Sequence, residues 1–325
     1  MPTRAVVWKR LKLAAISRIG IGGFAARYAR AASIPDLIEA VAYALAHEKN
    51  PPIIIGGATN ILFSDKNVSS PVIHNQASEI IPLDSRRLWI ASGTDMDDVV
   101  AYCLKNSRAG FSWAAGLPGT IGGAVYGNAG AFGGQMDQCV KGVVSLEKKR
   151  GSLVLRYRDA RACAFSYRAS AFKRLAQKNT MAVIVAVVVR APRVRAMASE
   201  KEQAADHRRY RAERHPMLAR TLGSTFQNVP IEKIPSSIRA QFASRLKRDP
   251  FPVIPAAVLL DQAGCKNMRV GGASFSVLHA NFVVASGKTS AGDVKKLCRR
   301  ARLRVRRRFG VWLAPEIIMH GKKFF

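Results

Sequence analysis

The stretch Trp113–Gly134, WAAGLPGTIGGAVYGNAGAFGG, holds eight glycines in 22 residues, interleaved with alanine, and no charged side chain. Its reading decides the fold. A loop without side chains and without charge lets a large, planar, phosphorylated ligand lie against the backbone. The dinucleotide fingerprint does not apply: the strand–GxGxxG–helix context is missing, and no acidic residue lies about 20 positions on. No GK[ST] follows, so it is not a Walker loop either. The competing reading is a glycine-rich structural loop.

Upstream, Ile53–Asn60 reads IIIGGATN. An apolar strand runs into two glycines, which allow positive φ, so successive N–H groups could point into one concavity. Alone, this motif is weak and reads better as an ordinary glycine turn. Before it, Pro35–Lys49 is expected to be a helix, with an apolar stripe and an acidic first turn. After it come strands at Pro71–His74 and Leu88–Ser92 and a helix Asp95–Asn106 with Thr94 as N-cap. Beyond the glycine block, strands are expected at Val140–Glu147, Leu153–Tyr157 and Ala182–Val189. A polar helical linker, Val194–Arg214, leads into a further unit. There Pro230–Pro255 reads as a partly irregular insertion. Ala256–Ala263 is a helix ended by Gly264, Phe275–Ser276 and Asn281–Ala285 are strands, and Ala291–Arg308 is a long basic helix ended by Gly310. Val311–Leu313 and Glu316–His320 are expected to form a last strand pair. Helices alternate with strands, so the chain is α/β or α+β.

Composition bounds the function. The chain has 325 residues, enough for two or three domains, and 48% hydrophobic residues, enough for real cores. No apolar run approaches the roughly 20 residues of a membrane span. The five cysteines, Cys103, Cys139, Cys163, Cys265 and Cys298, never form a CxxC. That argues against a disulfide framework and a zinc site, and it suits a reducing cytosol. Fifty-two basic against 21 acidic residues give a net charge of +31, a field that attracts polyanions of every kind. No zinc-finger spacing, RNP signature or basic heptad region accompanies it. The run RRARLRVRRR (Arg299–Arg308) is therefore expected to be a solvated helix face. No acidic residue precedes Asp36, and the choice there is between a basic leader entering the first strand and a transit-like segment.

Six motifs in order resemble one family, over about residues 19–321. GLPGTIGGAVYGNAGAFGG, IIIGGATNIL, FSYRASAFK (Phe165–Lys173), LGSTFQNVP (Leu222–Pro230), the long block Leu259–Val294 and VWLAPEI (Val311–Ile317) are similar to the motifs of MurB reductases. The resemblance implies an α+β flavoprotein: a two-lobed PCMH-type FAD-binding region followed by an α/β substrate-binding domain. The expected spans are 1–74 and 75–193 for the lobes, 205–309 for the substrate domain, and 310–325 for a C-terminal segment carrying the catalytic glutamate. It further implies that NADPH reduces FAD and that FADH2 reduces the enolpyruvyl group of a UDP-sugar to a lactyl ether.

The roles implied follow from that chemistry. Reducing the alkene leaves an enolate-like anion that needs a preorganised cation or donor. Arg168 matches the arginine, permanently charged and fork-shaped, and Glu316 the acidic partner. Ser224 matches the serine that protonates the second carbon. Tyr167 and Asn228 match substrate-contacting positions. Lys173, Arg211 or Arg214 could neutralise the diphosphate. Cofactor contacts are expected at Gly56, Gly57, Ala58, Thr59 and Asn60, and at Gly116, Pro118, Gly119, Gly122, Gly123 and Asn128. No metal is expected, nor a membrane or specific nucleic-acid partner.

The sequence departs from the family at Ala58-Thr59 (usually Gly-Ser), at Gln227 (usually Lys) and in the extra Val229. No tyrosine lies between Tyr167 and Tyr210, so the tyrosine-bearing loop that closes over substrate in one branch is not expected. Two alternatives compete: another PCMH-type flavin oxidoreductase, and a basic nucleic-acid-binding protein on an inactive reductase scaffold. The ordered YR, GS and PE motifs argue against both.

Overall fold

In the computed structural model, residues 6–248 and 251–320 are described. The first residues of the basic leader, Pro250 of the insertion and the end of the C-terminal segment lie outside the described residues. The chain folds as two compact units. One holds Met1–Leu11, Ala25–Gly57 and Ser69–Arg209, and the other holds Lys12–Phe24, Ala58–Val68 and Tyr210–Phe325.

The first unit carries two main sheets, besides the short pair Gly130–Ala131 and Gly134–Gln135. In the smaller, Val72–Asn75 lies between Phe24–Ala31 and Ile53–Ile55 and is parallel to both. Parallel strands need a crossover, and helix Ile34–His47 supplies the one from Phe24–Ala31 to Ile53–Ile55. Ser33 starts that helix with a reciprocal capping box: its hydroxyl accepts from Asp36 N–H, and the Asp36 carboxylate accepts from Ser33 N–H. The larger sheet is antiparallel, in the order Ser152–Asp159, Val140–Lys149, Ala182–Arg190, Arg87–Ala91, Ile80–Pro82.

Its middle strand, AVIVAVVVR, is β-branched almost throughout because both of its faces are covered. Val183 and Val185 pack with Leu37, Val41 and Ile73, whereas Ile184, Val187 and Val189 join Val99, Phe111, Ile121 and Val143. Val144 pairs with Ala186 and Ser145 with Ile184, leaving Val185 as a bulge. That extra residue reverses the face on which odd-numbered side chains point.

The second unit centres on an antiparallel sheet ordered Arg220–Ser224, Phe282–Ala285, Ala273–Phe275, Arg269–Val270. Helices Ala256–Gln262 and Ala291–Phe309 share its core. The long helix buries Ala291, Val294, Leu297, Cys298, Ala301, Val305 and Phe309, one stripe at helical spacing. The RRARLRVRRR arginines fill the rest of its circumference, so the basic run is a solvated face with an apolar back. Ser290 and Asp293 form its capping box, and Gly310 ends it at φ 72°.

Four local expectations need correction. The glycine block is not all loop: Ile121–Gly127 is a helix capped by the Thr120 hydroxyl. With glycine at 122, 123 and 127 propensity alone does not form it; the cap and the packing of buried Ile121, Ala124 and Val125 do. Asp95, not Thr94, is the N-cap of Met96–Lys105, because the Thr94 hydroxyl is engaged with the Glu79 backbone. Val311–Leu313 forms no strand pair with the following segment. Instead Ile318–Met319 runs parallel to Ile61–Leu62. Alternation along a strand identifies its faces but names no partner. Finally, Gly56 and Gly57 are absent from the left-handed residues of the GGATN turn, where Ala58 sits at φ 48°.

Candidate active site

In the first unit, Gly56 is required by contact. A Cβ there would collide with the Thr120 hydroxyl. The two glycine motifs are thus pressed together, with Thr120 between them. Gly122 likewise lies against the Ser92 carbonyl, to which its own N–H donates at 2.9 Å. Gly116 and Gly119 need positive φ, at 70° and 110°. By contrast, a Cβ on Gly127 would meet nothing within 4 Å, and one on Gly123 only the Thr120 hydroxyl at 3.6 Å. These two open glycines leave backbone accessible to a ligand. The block is anchored by Met96 N–H to Gly119 O, Ile121 N–H to Thr94 O and Gly116 N–H to Asp97 Oδ1. Beside it, His74 shares a hydrogen bond with the Tyr28 hydroxyl at 2.9 Å. Burial, then the Arg30 charge, pushes its imidazole below the usual histidine range.

Tyr167 and Arg168 form the tip of a two-residue turn, closed by reciprocal hydrogen bonds between Ser166 and Ala169 at 3.0 Å. Arg168 sits at φ 54°, a left-handed conformation that favours glycine or asparagine. Such strain persists where the surroundings enforce it. Here they do. Asn128 donates to Ser166 O, Arg168 to Gly130 O at 3.3 Å, Ser170 to Tyr126 O and Lys173 to Arg168 O. The arginine turn is therefore laced to residues 126–130 of the glycine block. Arg168 also lies over the Tyr167 ring at 5.2 Å.

Asn128, read from the sequence as a cofactor contact, ends helix Ile121–Gly127 in the left-handed conformation. Its side chain accepts from Asp137 N–H and donates to Asp137 and Ser166. It shapes the loop through these bonds.

In the second unit, Ser224 ends its strand on a bulge. Thr221 pairs with Val284 and Ser224 with Phe282, so the register slips across Leu222 and Gly223. Gly223 takes φ 75°, and a Cβ there would enter open space, so the glycine serves backbone conformation alone. The next residues join the Glu316 segment: Glu316 N–H donates to Thr225 O at 2.8 Å and Gln227 N–H to Ala314 O at 2.9 Å. Asn60 donates to Glu316 O at 3.4 Å. Asn228 Oδ1 accepts from Ala256 N–H at 3.1 Å, at the start of helix Ala256–Gln262. Arg211 is buried and Arg214 exposed.

The structure thus gathers Gly56, Gly57, the glycine block, Tyr167 and Arg168 in one unit. It gathers Ala58, Thr59, Asn60, Ser224, Asn228 and Glu316 in the other. Sequence reasoning passed over Asn281, buried beside Phe282. It donates to Phe226 O at 2.8 Å and accepts from Phe226 N–H at 2.9 Å. A polar residue between His279-Ala280 and a β-branched strand was the only signal. Among the described residues, no group of three His, Cys, Asp or Glu could hold a metal ion, and no helix is long and apolar enough to cross a membrane.

A charge-free glycine cradle with open backbone, laced to a strained arginine turn, suits a large planar phosphorylated ligand, as expected of a flavin-binding oxidoreductase. The comparisons agree. Residues 10–154 match the FAD binding domain model, and residues 215–320 match the model for UDP-N-acetylenolpyruvoylglucosamine reductase, C-terminal domain. The UDP-N-acetylenolpyruvoylglucosamine reductase of Solibacter usitatus is 31% identical over 307 residues, 94% of each chain. That of Synechococcus sp. is 29% identical, over 96% of this chain and 90% of the relative. The crystal structure of MurB from Thermus caldophilus superposes with a TM-score of 0.73 at 23% identity, over 97% of this chain and 99% of that one, and shares its fold. The chain belongs to the UDP-N-acetylenolpyruvoylglucosamine reductase (MurB) family and is an FAD-dependent oxidoreductase.

Proposed function

We propose that this protein reduces UDP-N-acetylglucosamine enolpyruvate to UDP-N-acetylmuramate in peptidoglycan precursor synthesis, in the cytoplasm, with NADPH as reductant. FAD, when bound, supplies the hydride chemistry. The chain supplies geometry, charge and a proton. Gly56–Asn60 and Gly116–Gly123 hold the cofactor, with the open backbone at Gly123 and Gly127 beside it. Residues 1–74 and 75–193 act as cofactor lobes and 205–309 as the substrate domain. Arg168 and Glu316 stabilise the enolate-like charge that develops next to the substrate carboxylate. For Glu316 to donate a hydrogen bond there, it must be protonated. Ser224 delivers the proton to the second carbon. Tyr167 and Asn228 contact the UDP-sugar.

The observation that carries this reading is the placement of Ser224. It ends its strand on a bulge at Gly223, and the following residue is tied to Glu316. Purified protein should be yellow, and acid precipitation should release the flavin, since neither glycine motif holds a His or Cys tether. Beyond the single equivalent that reduces its flavin, it should oxidise NADPH only when the enolpyruvyl UDP-sugar is supplied. Colourless protein, or NADPH oxidation indifferent to that sugar, refutes the reading.

A further inference from the structure

We propose that Asn281 is the positioning residue of this active centre, holding Ser224 and Glu316 in register with one another. The inference rests on the roles just assigned to those two residues. Asn281 is 3% exposed and makes four hydrogen bonds. Its side chain accepts from Phe226 N–H at 2.9 Å and donates to Phe226 O at 2.8 Å. Its carbonyl accepts from Thr225 N–H at 2.7 Å, and its own N–H donates to His279 Nδ1 at 3.3 Å.

The carboxamide therefore does what a neighbouring strand would do: it satisfies both backbone groups of one residue, Phe226. Phe226 needs that partner, because its side chain is fully buried and strand pairing with Phe282–Ala285 stops at Ser224. Removing the amide would strand a buried N–H and a buried C=O, which costs more than the bonds themselves contribute. The segment so held is short and consequential. Ser224 is one residue before Thr225, and the Thr225 carbonyl receives Glu316 N–H at 2.8 Å. Phe226 itself bridges to Pro315. One side chain thus clamps the strip joining proton donor to acidic partner.

Positioning predicts a signature that a structural role does not share. In Asn281→Asp the shape is kept, but an ionised carboxylate faces Phe226 O with no proton to donate. Flavin reduction by NADPH should stay within about twofold of wild type. Reoxidation by the enolpyruvyl UDP-sugar should slow by ~10²-fold, as expected for a misplacement on the order of 1 Å. As pH falls and the carboxyl regains its proton, the donor returns, and reoxidation relative to wild type should recover. Asn281→Ala should show the slow reoxidation without the recovery.

Stopped-flow measurement of both half-reactions across pH decides this, with Ser224→Ala run in parallel. Equal slowing of both half-reactions, or an Asn281→Asp rate that tracks wild type at every pH, overturns the proposal. Wild-type reoxidation in Ser224→Ala would instead refute the reading beneath it. Hydrogen exchange on the unmodified protein gives a test that needs no variant to fold. The Phe226 amide should be protected like that of Val283, and rapid exchange there overturns the clamp.

Discussion

The backbone N–H of Glu316 donates to the carbonyl of Thr225 at 2.8 Å, so the acidic residue is tied to the neighbour of Ser224 across 91 positions of chain. The bond runs between backbone groups, so it fixes the chain at both residues. Ser224→Ala should preserve this arrangement, since Ser224 pairs with Phe282 through its backbone. Flavin reduction by NADPH should then be nearly unchanged, because that half-reaction needs no proton at the sugar. Reoxidation should slow by ~10²–10⁴-fold, the usual contribution of a general acid. Stopped-flow traces showing equal slowing of both steps would remove Ser224 from the role.

Gly56 and Thr120 give a prediction about the cofactor cradle. Gly56→Ala drives a methyl into the Thr120 side chain and should sharply lower the flavin that copurifies with the protein. Thr120→Ala removes the colliding atoms, at the loss of a helix cap that contributes about 1 kcal/mol. The double variant should therefore hold more flavin than Gly56→Ala alone, a non-additivity expected of residues in contact. The ratio of flavin to protein absorbance measures it.

Ala58 occupies a left-handed position at φ 48° that the family usually gives to glycine. An L-residue there costs roughly 1–2 kcal/mol, partly offset by the smaller entropy it loses on folding. Ala58→Gly should therefore stabilise the protein, by about 0.5–1 kcal/mol in denaturant unfolding. A loss of stability would mean that the buried methyl contributes more through packing than it costs in strain.

How much of this was legible before the structure depends on what each feature is made of. The glycine block declares itself because the absence of side chains is a property of sequence, and Gly264 and Gly310 mark their helix ends for the same reason. The basic run at Arg299–Arg308 was readable as a helix face because Val305 and Ala301 keep the apolar period. Ala58 and Arg168 were not readable as left-handed residues, since neither type favours that conformation and only surrounding structure imposes it. Asn281 was hidden by being single: one asparagine has no period, and Phe226 and Thr225, to which it bonds, lie 55 and 56 residues away. The pairing of Ile318–Met319 with Ile61–Leu62 was hidden because a strand's alternation is blind to its neighbour.

His215 and His279 stack edge to face at 5.2 Å, and both pack on Phe282. Burial is the main cause that lowers each to about 4. The His279, Arg211 and Lys247 charges add to it at His215, and the Lys247 charge at His279. In the unfolded chain these imidazoles titrate near 6.5. Between about pH 6.5 and 4 the unfolded state thus binds more protons than the folded state, so acidification through that window destabilises the protein. The contribution is intact above the window and fully lost below it. His215→Phe keeps a ring on Phe282 and removes one proton. The slope of unfolding free energy against pH should become shallower in this variant; an unchanged slope would show that the pair does not carry the effect.

The net charge of +31 bears on ligand capture. Lys296, Arg299, Arg300, Arg304, Arg306, Arg307 and Arg308 all lie exposed on one helix, whose only acidic residue, Asp293, is engaged in its cap. NADPH and a UDP-sugar are both polyanions, so such a field should raise their encounter rates at low salt. Screening confines it to about 8 Å near physiological ionic strength. Apparent affinity for both ligands should therefore weaken as salt rises, while single-turnover reoxidation at saturating sugar changes little, because the reacting groups are held at fixed short range. Nucleic acid should bind at low salt without sequence preference, and that binding should collapse steeply with added salt. Stopped-flow association rates for NADPH between low and physiological salt test the first claim, and a competition titration with unrelated oligonucleotides tests the second. Sequence-selective binding that survives physiological salt, in protein without reductase turnover, would mean that the basic surface reads nucleic acid and that the reductase scaffold is inactive.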